Sequence, residues 1–327
     1  MAQWILRSAG PDDEGRRLDR ILRILYPDLP LSALHRAFRK GLVRVGGRRV
    51  SPDRRIASGD TIELSPFLVL GRGTAPGGAE RKAGMDYGTA LPEGMLIHAS
   101  QDLIFLNKPA GMLIHDGEES LEALVRAAYA DSGRDSLAFR PGPLHRLDRN
   151  TSGIVTFSRS LRGAEVFSAA LRERRISKVY LAVLQGRLEG RMRWEDGLVR
   201  DRTAKITRAG NDDSTSMRAI AVALPVAQSH DATLACILLE TGRTHQIRAQ
   251  AALHGCPLED DPKYGTRKTG KNYRLHALLL RLRSTLLSDV PETLAAAPPA
   301  PFADEIRSRF GVEPGDLVRI AETSFFA

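Results

Sequence analysis

Apolar positions near the start of the chain recur twice at helical spacing. Leu18, Ile21, Leu22 and Leu25 share one face of a helix that Pro27 and Pro30 then end. Leu34, Ala37 and Phe38 form the apolar face of a second helix, with Ser32 as its candidate cap and Gly41 as a stop in the left-handed conformation that glycine tolerates. Arg36, Arg39 and Lys40 share its wet face. The period then changes to two: VRVGGRRV alternates around Gly46 and Gly47 as a hairpin does, and GDTIEL supplies a further turn and strand. From Leu70 to Gly94 periodicity is lost in a Gly-, Ala- and Pro-rich stretch that predicts a flexible linker. Strands and helices then alternate to about residue 290, and AAAPPAPFADE leads into a short tail with no readable role. The predicted organisation is a small domain over 1–66, a linker over 67–94, a large mixed α/β domain over 95–290 and a C-terminal tail over 291–327.

Composition narrows the classes. With 42% hydrophobic and 27% charged residues the chain has the make-up of a folded globular protein. No apolar run reaches the roughly 18 to 20 residues of a membrane span, and MAQWILRSAGPDDEG lacks the parts of a signal peptide, so a cytoplasmic location is expected. Cys236 and Cys256 form neither a disulfide framework nor clustered metal ligands. Together with the absence of a P-loop or dinucleotide fingerprint, this predicts no metal and no cofactor. The net charge of +9 favours a polyanionic partner. Its distribution is uneven: residues 15–64 hold 12 Lys and Arg against 5 Asp and Glu.

Three clusters in the large domain carry candidate chemistry. IFLNKPAGMLIHDG is an apolar strand, from Leu103 to Leu106, ending in a turn where Lys108 and His115 are either substrate contacts or turn residues. In PGPLHRLDRNTSGIVTFSRS a charge-dense loop from His145 to Ser152 enters a strand, a common setting for functional side chains. Asp148 there is open to a plain ion pair with Arg146 or Arg149. LLETGRTHQIRAQAALHGCPLEDDPKYG predicts a strand, a turn at Thr241 and Gly242, and a helix to about His254 with Gly255 as its stop. Arg243, His245 and Arg248 gather near the start of that helix, to bind phosphate or to brace the loop.

HRLDRNTSG, KVYLAVLQG, GRTHQIR and PKYG occur in the order found in the RluA-type RNA pseudouridine synthases, with LNKPAG before them and RLHALLL after. The chain resembles that family over roughly residues 95 to 285. Residues 15–64 resemble the S4-type RNA-binding domain. The resemblance implies a pseudouridine synthase fold around a central, largely antiparallel sheet, preceded by a small S4-like α/β domain. It implies Asp148 as the catalytic aspartate, Arg243 as the arginine paired with it, Tyr180 as the tyrosine against the target base, and Arg146 as the side chain that enters the helix where the uridine leaves. His145, Lys178 and Thr151 are further candidate substrate contacts, and Arg17, Arg36, Arg39, Lys40, Arg44 and Arg48 are candidate RNA contacts. One departure concerns a turn: Asp260 stands where the family usually has glycine before Asp-Pro.

The implied reaction breaks a uridine's glycosidic bond, turns the base and rejoins it through C5, so nothing is oxidised and no group leaves the RNA. A carboxylate suits it, as a nucleophile at C1′ or as a base at the sugar. The implied partner is structured RNA of the 23S large-subunit type, with the chain a monomer needing no protein partner and no membrane. Three alternatives stand beside this: a non-catalytic RNA-binding assembly factor, a transfer RNA pseudouridine synthase, and a glycosylase releasing free uracil.

Overall fold

A computed structural model describes residues 3–69, 91–129, 136–201, 203–204, 206–210, 216–265, 272–283 and 286–326. The stretch 70–90, most of the expected linker, lies outside the described residues. The chain divides into two compact units, one from 1–90, 124–142 and 159–162 and the other from the remainder.

In the first unit, β1 (Ile5–Ser8), α1 (Leu18–Leu25), α2 (Leu31–Lys40), β2 (Val43–Val45), β3 (Arg48–Arg49), β4 (Thr61–Leu64) and α3 (Pro66–Val69) follow in order. The four strands form one sheet in the order β1-β4-β2-β3. Leu18, Ile21, Leu22, Leu34, Ala37 and Phe38 are buried together with Val43, Val45, Ile62 and Leu64, as the two helical periods and the alternation require. Gly41 closes α2 at φ +67°, beneath the Arg49 side chain. Ser32 is not the cap, because α2 begins one residue before it and Pro30 holds the capping position without a side-chain hydrogen bond. The expected boundary at residue 66 is also too simple. The fully buried Asp13 carboxylate accepts from the backbone N–H of Gly10, Leu137 and Ala138 and from the Ser136 hydroxyl, so residues 136–138 belong to this unit.

The elements that follow are β5 (Leu96–Ala99), β6 (Leu103–Lys108), α4 (Leu121–Ala128), β7 (Gly142–Pro143), β8 (Ser152–Ser158), α5 (Leu161–Arg172), β9 (Ile176–Gln185) and β10 (Met192–Asp201). After them come β11 (Ile206–Ala209), β12 (Met217–Gln228), β13 (Ala232–Leu239), α6 (Gln246–Leu253), β14 (Leu275–Leu282), β15 (Thr293–Ala295), α7 (Ala300–Phe310) and α8 (Leu317–Phe326). The second unit is built on a sheet in the order β11-β10-β12-β13-β9-β14-β8-β6-β5, with β15 on β14 and β7 on β8. Pairing among the long strands is antiparallel except between β14 and β8, so the expected largely antiparallel α/β fold is present. At that parallel step β8 and β14 approach closely: a Cβ on Gly153 would stand 2.3 Å from the Ala277 carbonyl oxygen, and Gly153 is at φ +107°. Only glycine fits there.

Alternation along β9 separates the two faces of the sheet. Val179, Leu181 and Val183 pack with Phe302, Ile306 and Phe310 of α7 and Leu317 and Ala321 of α8, while Lys178 and Tyr180 point the other way. The stretch 291–327 is therefore no tail: its helices cover one face of the sheet. Among the described residues no helix is long and apolar enough to cross a membrane.

Candidate active site

Asp148 sits in the loop between β7 and β8, and a buried lysine fixes that loop. Lys108, at the end of β6, is fully buried and donates to the carbonyls of Pro109, Met112 and Arg149, at 2.8, 2.9 and 2.9 Å. It thereby ties the Pro-Gly turn to the turn that carries Asp148. Arg149 Nε adds a bond to the Gly111 carbonyl, and the Thr151 N–H donates to the Asp148 carbonyl. Burial pulls the Lys108 ammonium down to about 8, against which the charge of Asp148 acts. Thr151 is itself buried, with its hydroxyl 3.3 Å from that of Tyr273. It does not line the cavity and braces the loop, contrary to the expected substrate contact.

The partner of Asp148 is Arg248, not Arg243. Arg248 lies in the first turn of α6 and donates from Nη1 to Asp148 Oδ2 at 2.8 Å. Its Nε and Nη2 grip the two oxygens of Asp261 at 2.7 and 2.8 Å. Tyr273 and Tyr264 stand 4.4 and 5.1 Å from the guanidinium carbon. Burial alone would lower the Arg248 pKa, yet the hydrogen bond and charge of Asp261, with Asp148, raise it above the ordinary arginine range. A fully buried carboxylate thus holds a permanent cation against that of Asp148. Asp261 is fixed in turn by the N–H groups of Lys263 and Tyr264. Asp260, just before it, adopts φ +60°, the left-handed conformation that the usual glycine takes without strain.

Arg243 bonds instead from Nε to the Arg218 carbonyl, and its N–H donates to Gln246 Oε1. It lines the cavity from the loop before α6. His245, at φ +55°, places Nε2 3.7 Å from Asp148 Oδ2. Its Nδ1 lies 2.9 Å from the Tyr264 hydroxyl and 3.3 Å from Arg200 Nη1. The Thr207 N–H donates to that hydroxyl, so both neighbours can donate to Nδ1, which puts the proton on Nε2, facing the carboxylate. Burial lowers the His245 pKa to about 4, only partly offset by Asp148, so the ring is neutral near pH 7.

A cavity of about 670 Å³ opens over Asp148, with Tyr180 and Lys178 on its β9 wall and His145 and Arg146 beside the aspartate. Tyr180 is 7% exposed, and burial followed by the charge of Asp148 raises its pKa. Burial pulls the Lys178 ammonium down to about 8. The Thr156 N–H donates to His145 Nε2 at 3.1 Å, the ring stacks 6.0 Å from Phe167, and its pKa is far below the ordinary value through burial and then Lys178. His145 is thus a neutral wall of the cavity. Arg146 is exposed and has no hydrogen-bond or ion-pair partner among the described residues.

The geometry brings together Asp148, Tyr180, His145, Arg146, Lys178 and Arg243, and leaves out Thr151. Sequence reasoning missed the bracing role of Arg248 with Asp261. The signal present, three basic residues within GRTHQIR, gave no ground for choosing among them. In the first unit Arg36, Arg39, Lys40 and Arg48 are exposed, whereas Arg17 is paired with Asp19 at 2.9 Å and Arg44 lies 4.6 Å over Trp4.

A carboxylate bonded to a buried arginine, a buried tyrosine and unpaired cations around one cavity suit covalent work on a base lifted out of a nucleic acid. That class is made specific by comparison with known proteins. The RNA pseudouridylate synthase family matches residues 102–253. Ribosomal large subunit pseudouridine synthase C of Vibrio vulnificus (strain CMCP6) is 30% identical over 274 residues, 82% of each chain. Its counterpart in Escherichia coli (strain K12) is 27% identical over 272 residues, 79% of this chain and 78% of that one. Among solved structures, human RNA Pseudouridylate Synthase Domain Containing 1 matches in fold with a TM-score of 0.54 at 21% identity, over 69% of this chain and 93% of its own. Human RNA Pseudouridylate Synthase Domain Containing 4 matches at 0.55 and 18%, over 65% and 91%. The chain belongs to the RNA pseudouridylate synthase family, RluA type, and is an isomerase that converts uridine to pseudouridine in RNA.

Proposed function

We propose that the chain isomerises uridines of large-subunit ribosomal RNA, with Asp148 as its catalytic carboxylate. The observation that carries the catalytic assignment is the run of ion pairs Asp261–Arg248–Asp148 at the floor of the cavity. The ribosomal substrate rests on the similarity to enzymes named for it. Asp148 acts at the sugar, held in place by the hydrogen bond from Arg248. Tyr180 supplies the face against which the uracil turns. Arg146, unpaired at the rim, fills the gap in the RNA stack when the uridine leaves, offsetting a cost of a few kcal/mol. Mapping pseudouridine in large-subunit RNA from cells with and without the protein tests the reading: defined sites disappear in its absence and return on re-expression. An unchanged map overturns it.

Lys178 contacts the substrate in its charged form. Activity therefore falls as pH rises through about 8, where the buried ammonium loses its proton. Unfolding does not account for that fall. The folded lysine titrates at about 8 and the unfolded one at 10.5, so unfolding takes up a proton between those values and this group favours the folded state increasingly as pH rises through them. The check is kcat/KM against pH for wild type and Lys178→Arg. The alkaline limb is expected to move beyond pH 9 in the variant, and an unmoved limb assigns it elsewhere, Lys108 being the other candidate.

The first unit, S4-like in sequence, holds the RNA through phosphates. Replacing the exposed Arg36, Arg39 and Lys40 with Gln should weaken RNA binding and lower the slope of log affinity against log salt by up to roughly 0.7 to 0.9 for each phosphate that is no longer neutralised. Turnover on saturating RNA should be unchanged. Filter binding between 50 and 200 mM salt is the measurement, and an unchanged slope removes the assignment.

A further inference from the structure

A second groove, of about 400 Å³, lies at the end of β14 and is lined by Arg281, Leu282, Arg283, Glu292, Phe325 and Phe326. Arg283 borders both this groove and the catalytic cavity, so the two adjoin at that side chain. We propose that the groove is a second RNA subsite, which takes a nucleotide flanking the uridine held over Asp148. The inference rests on the RNA-isomerase reading and extends it to the substrate strand beyond the target base.

The charges around the groove suit an anionic ligand. Arg274, Arg307, Arg309 and Arg319 on the neighbouring elements are each paired with a carboxylate. The side chains of Arg283 and Arg281 have no hydrogen-bond or ion-pair partner among the described residues, and the same holds for the Arg174 side chain at the catalytic cavity. Arg174 even stands at φ +56° just past the end of α5, where glycine would be unstrained. Cations left unpaired at a cavity mouth favour an anionic ligand, and a polynucleotide supplies one phosphate per residue.

The groove also holds the kinds of group that a nucleotide uses. The Arg281 guanidinium lies 4.7 Å over the Phe326 ring, with Phe325 tilted beside it at 6.4 Å. An arginine plane backed by an aromatic ring is a platform on which a base stacks without regard to its identity. Glu292 adds an acceptor suited to a ribose 2′-hydroxyl or an exocyclic amine. A free phosphate would gain nothing from the rings and would be repelled by the glutamate, whereas a nucleotide uses all three kinds of group.

The end of β14 joins the groove to the catalytic cavity. Arg281 pairs in register with Ser177, which sets its side chain on the face that α8 covers, opposite Lys178, and Arg283 at the strand end borders both cavities. The Arg283 N–H donates to the Arg175 carbonyl and the Leu282 N–H to that of Glu292, so the side chains that border the groove project from fixed backbone. RNA that rounds the strand end at Arg283 meets Arg281 and Phe326 on that other face.

The test uses the full chain and unmodified large-subunit ribosomal RNA. Arg281→Gln should raise KM about tenfold with kcat changed less than twofold, and lower the salt slope of RNA binding by about the share of one phosphate. Phe326→Leu should raise KM by a similar factor while leaving the salt slope as in wild type. Because Phe326 also packs against the core, its thermal midpoint is measured first. If it falls by more than a few degrees, Arg281→Gln alone decides, since that substitution removes no core side chain. Unchanged KM and salt slope in Arg281→Gln, with wild type active, overturn the subsite alone. A wild-type protein that forms no pseudouridine in this RNA overturns the ribosomal reading, and the subsite falls with it.

Discussion

Asp148→Asn yields a folded protein that no longer forms pseudouridine. The carboxamide keeps the size of the carboxylate and one oxygen that can still accept from Arg248 Nη1, which stays paired with Asp261. The cavity therefore keeps its walls, and RNA affinity should remain near that of wild type. What disappears is the negative charge facing the sugar, and with it both nucleophile and base. The rate should fall by at least about 10⁴-fold, the order found when a nucleophile is removed from a catalytic constellation. Tritium release from RNA labelled at uracil C5, at saturating protein and in a single turnover, measures the chemical step apart from binding. Activity within tenfold of wild type would remove Asp148 from the chemistry. Loss of RNA binding in parallel would show instead that the variant disturbs the fold of the loop.

Parts of this architecture are legible in the sequence and parts are not, for reasons visible in particular residues. Leu18, Ile21 and Leu22 and then Leu34, Ala37 and Phe38 sit where their period puts them, because each helix buries one face against a short sheet whose residues also alternate. Gly41 ends α2 at φ +67° as its type requires. Asp148 and Tyr180 stand out through long motif strings rather than through periodicity, since a loop aspartate and a strand tyrosine have no pattern of their own. The first unit's second segment is unreadable: Asp13 binds residues 136–138 across more than a hundred positions, and nothing local in PDDEG announces a buried carboxylate. The C-terminal helices are hidden because AAAPPAP reads as a breaker. Yet Phe302, Ile306 and Phe310 recur every four residues and bury themselves on the sheet. The choice of Arg248 over Arg243 depends on three-dimensional facts, namely the direction of α6 and the approach of Asp261, Tyr264 and Tyr273 from later in the chain.

That choice leads to a pair of substitutions with opposite outcomes. Arg243→Ala removes one bond to the Arg218 carbonyl and one side chain from the cavity wall. It should leave stability within about 0.5 kcal/mol of wild type and affect activity chiefly through KM. Arg248→Met strands the fully buried Asp261 carboxylate with only backbone donors, so the fold should lose about 3 to 5 kcal/mol, the range for breaking a buried ion pair from one side. Asp148 loses its cation at the same time, and kcat should fall about 100-fold or more in whatever protein remains folded. Arg248→Lys separates the two effects. A single ammonium keeps the charge but cannot grip both oxygens of Asp261 while reaching Asp148. Stability should recover in part, while kcat stays depressed because the Asp148 carboxylate is no longer held in register. Asp261→Asn makes the complementary change: its carboxamide accepts through one oxygen only, so Arg248 loses one of its two bonds there together with the charge that orients it, while its bond to Asp148 remains, and kcat should fall less than in Arg248→Lys. Urea midpoints and single-turnover rates across the four variants decide the matter. If Arg243→Ala proves the more damaging substitution in the chemical step, Arg248 is a structural brace and Arg243 governs the aspartate in the RNA-bound state.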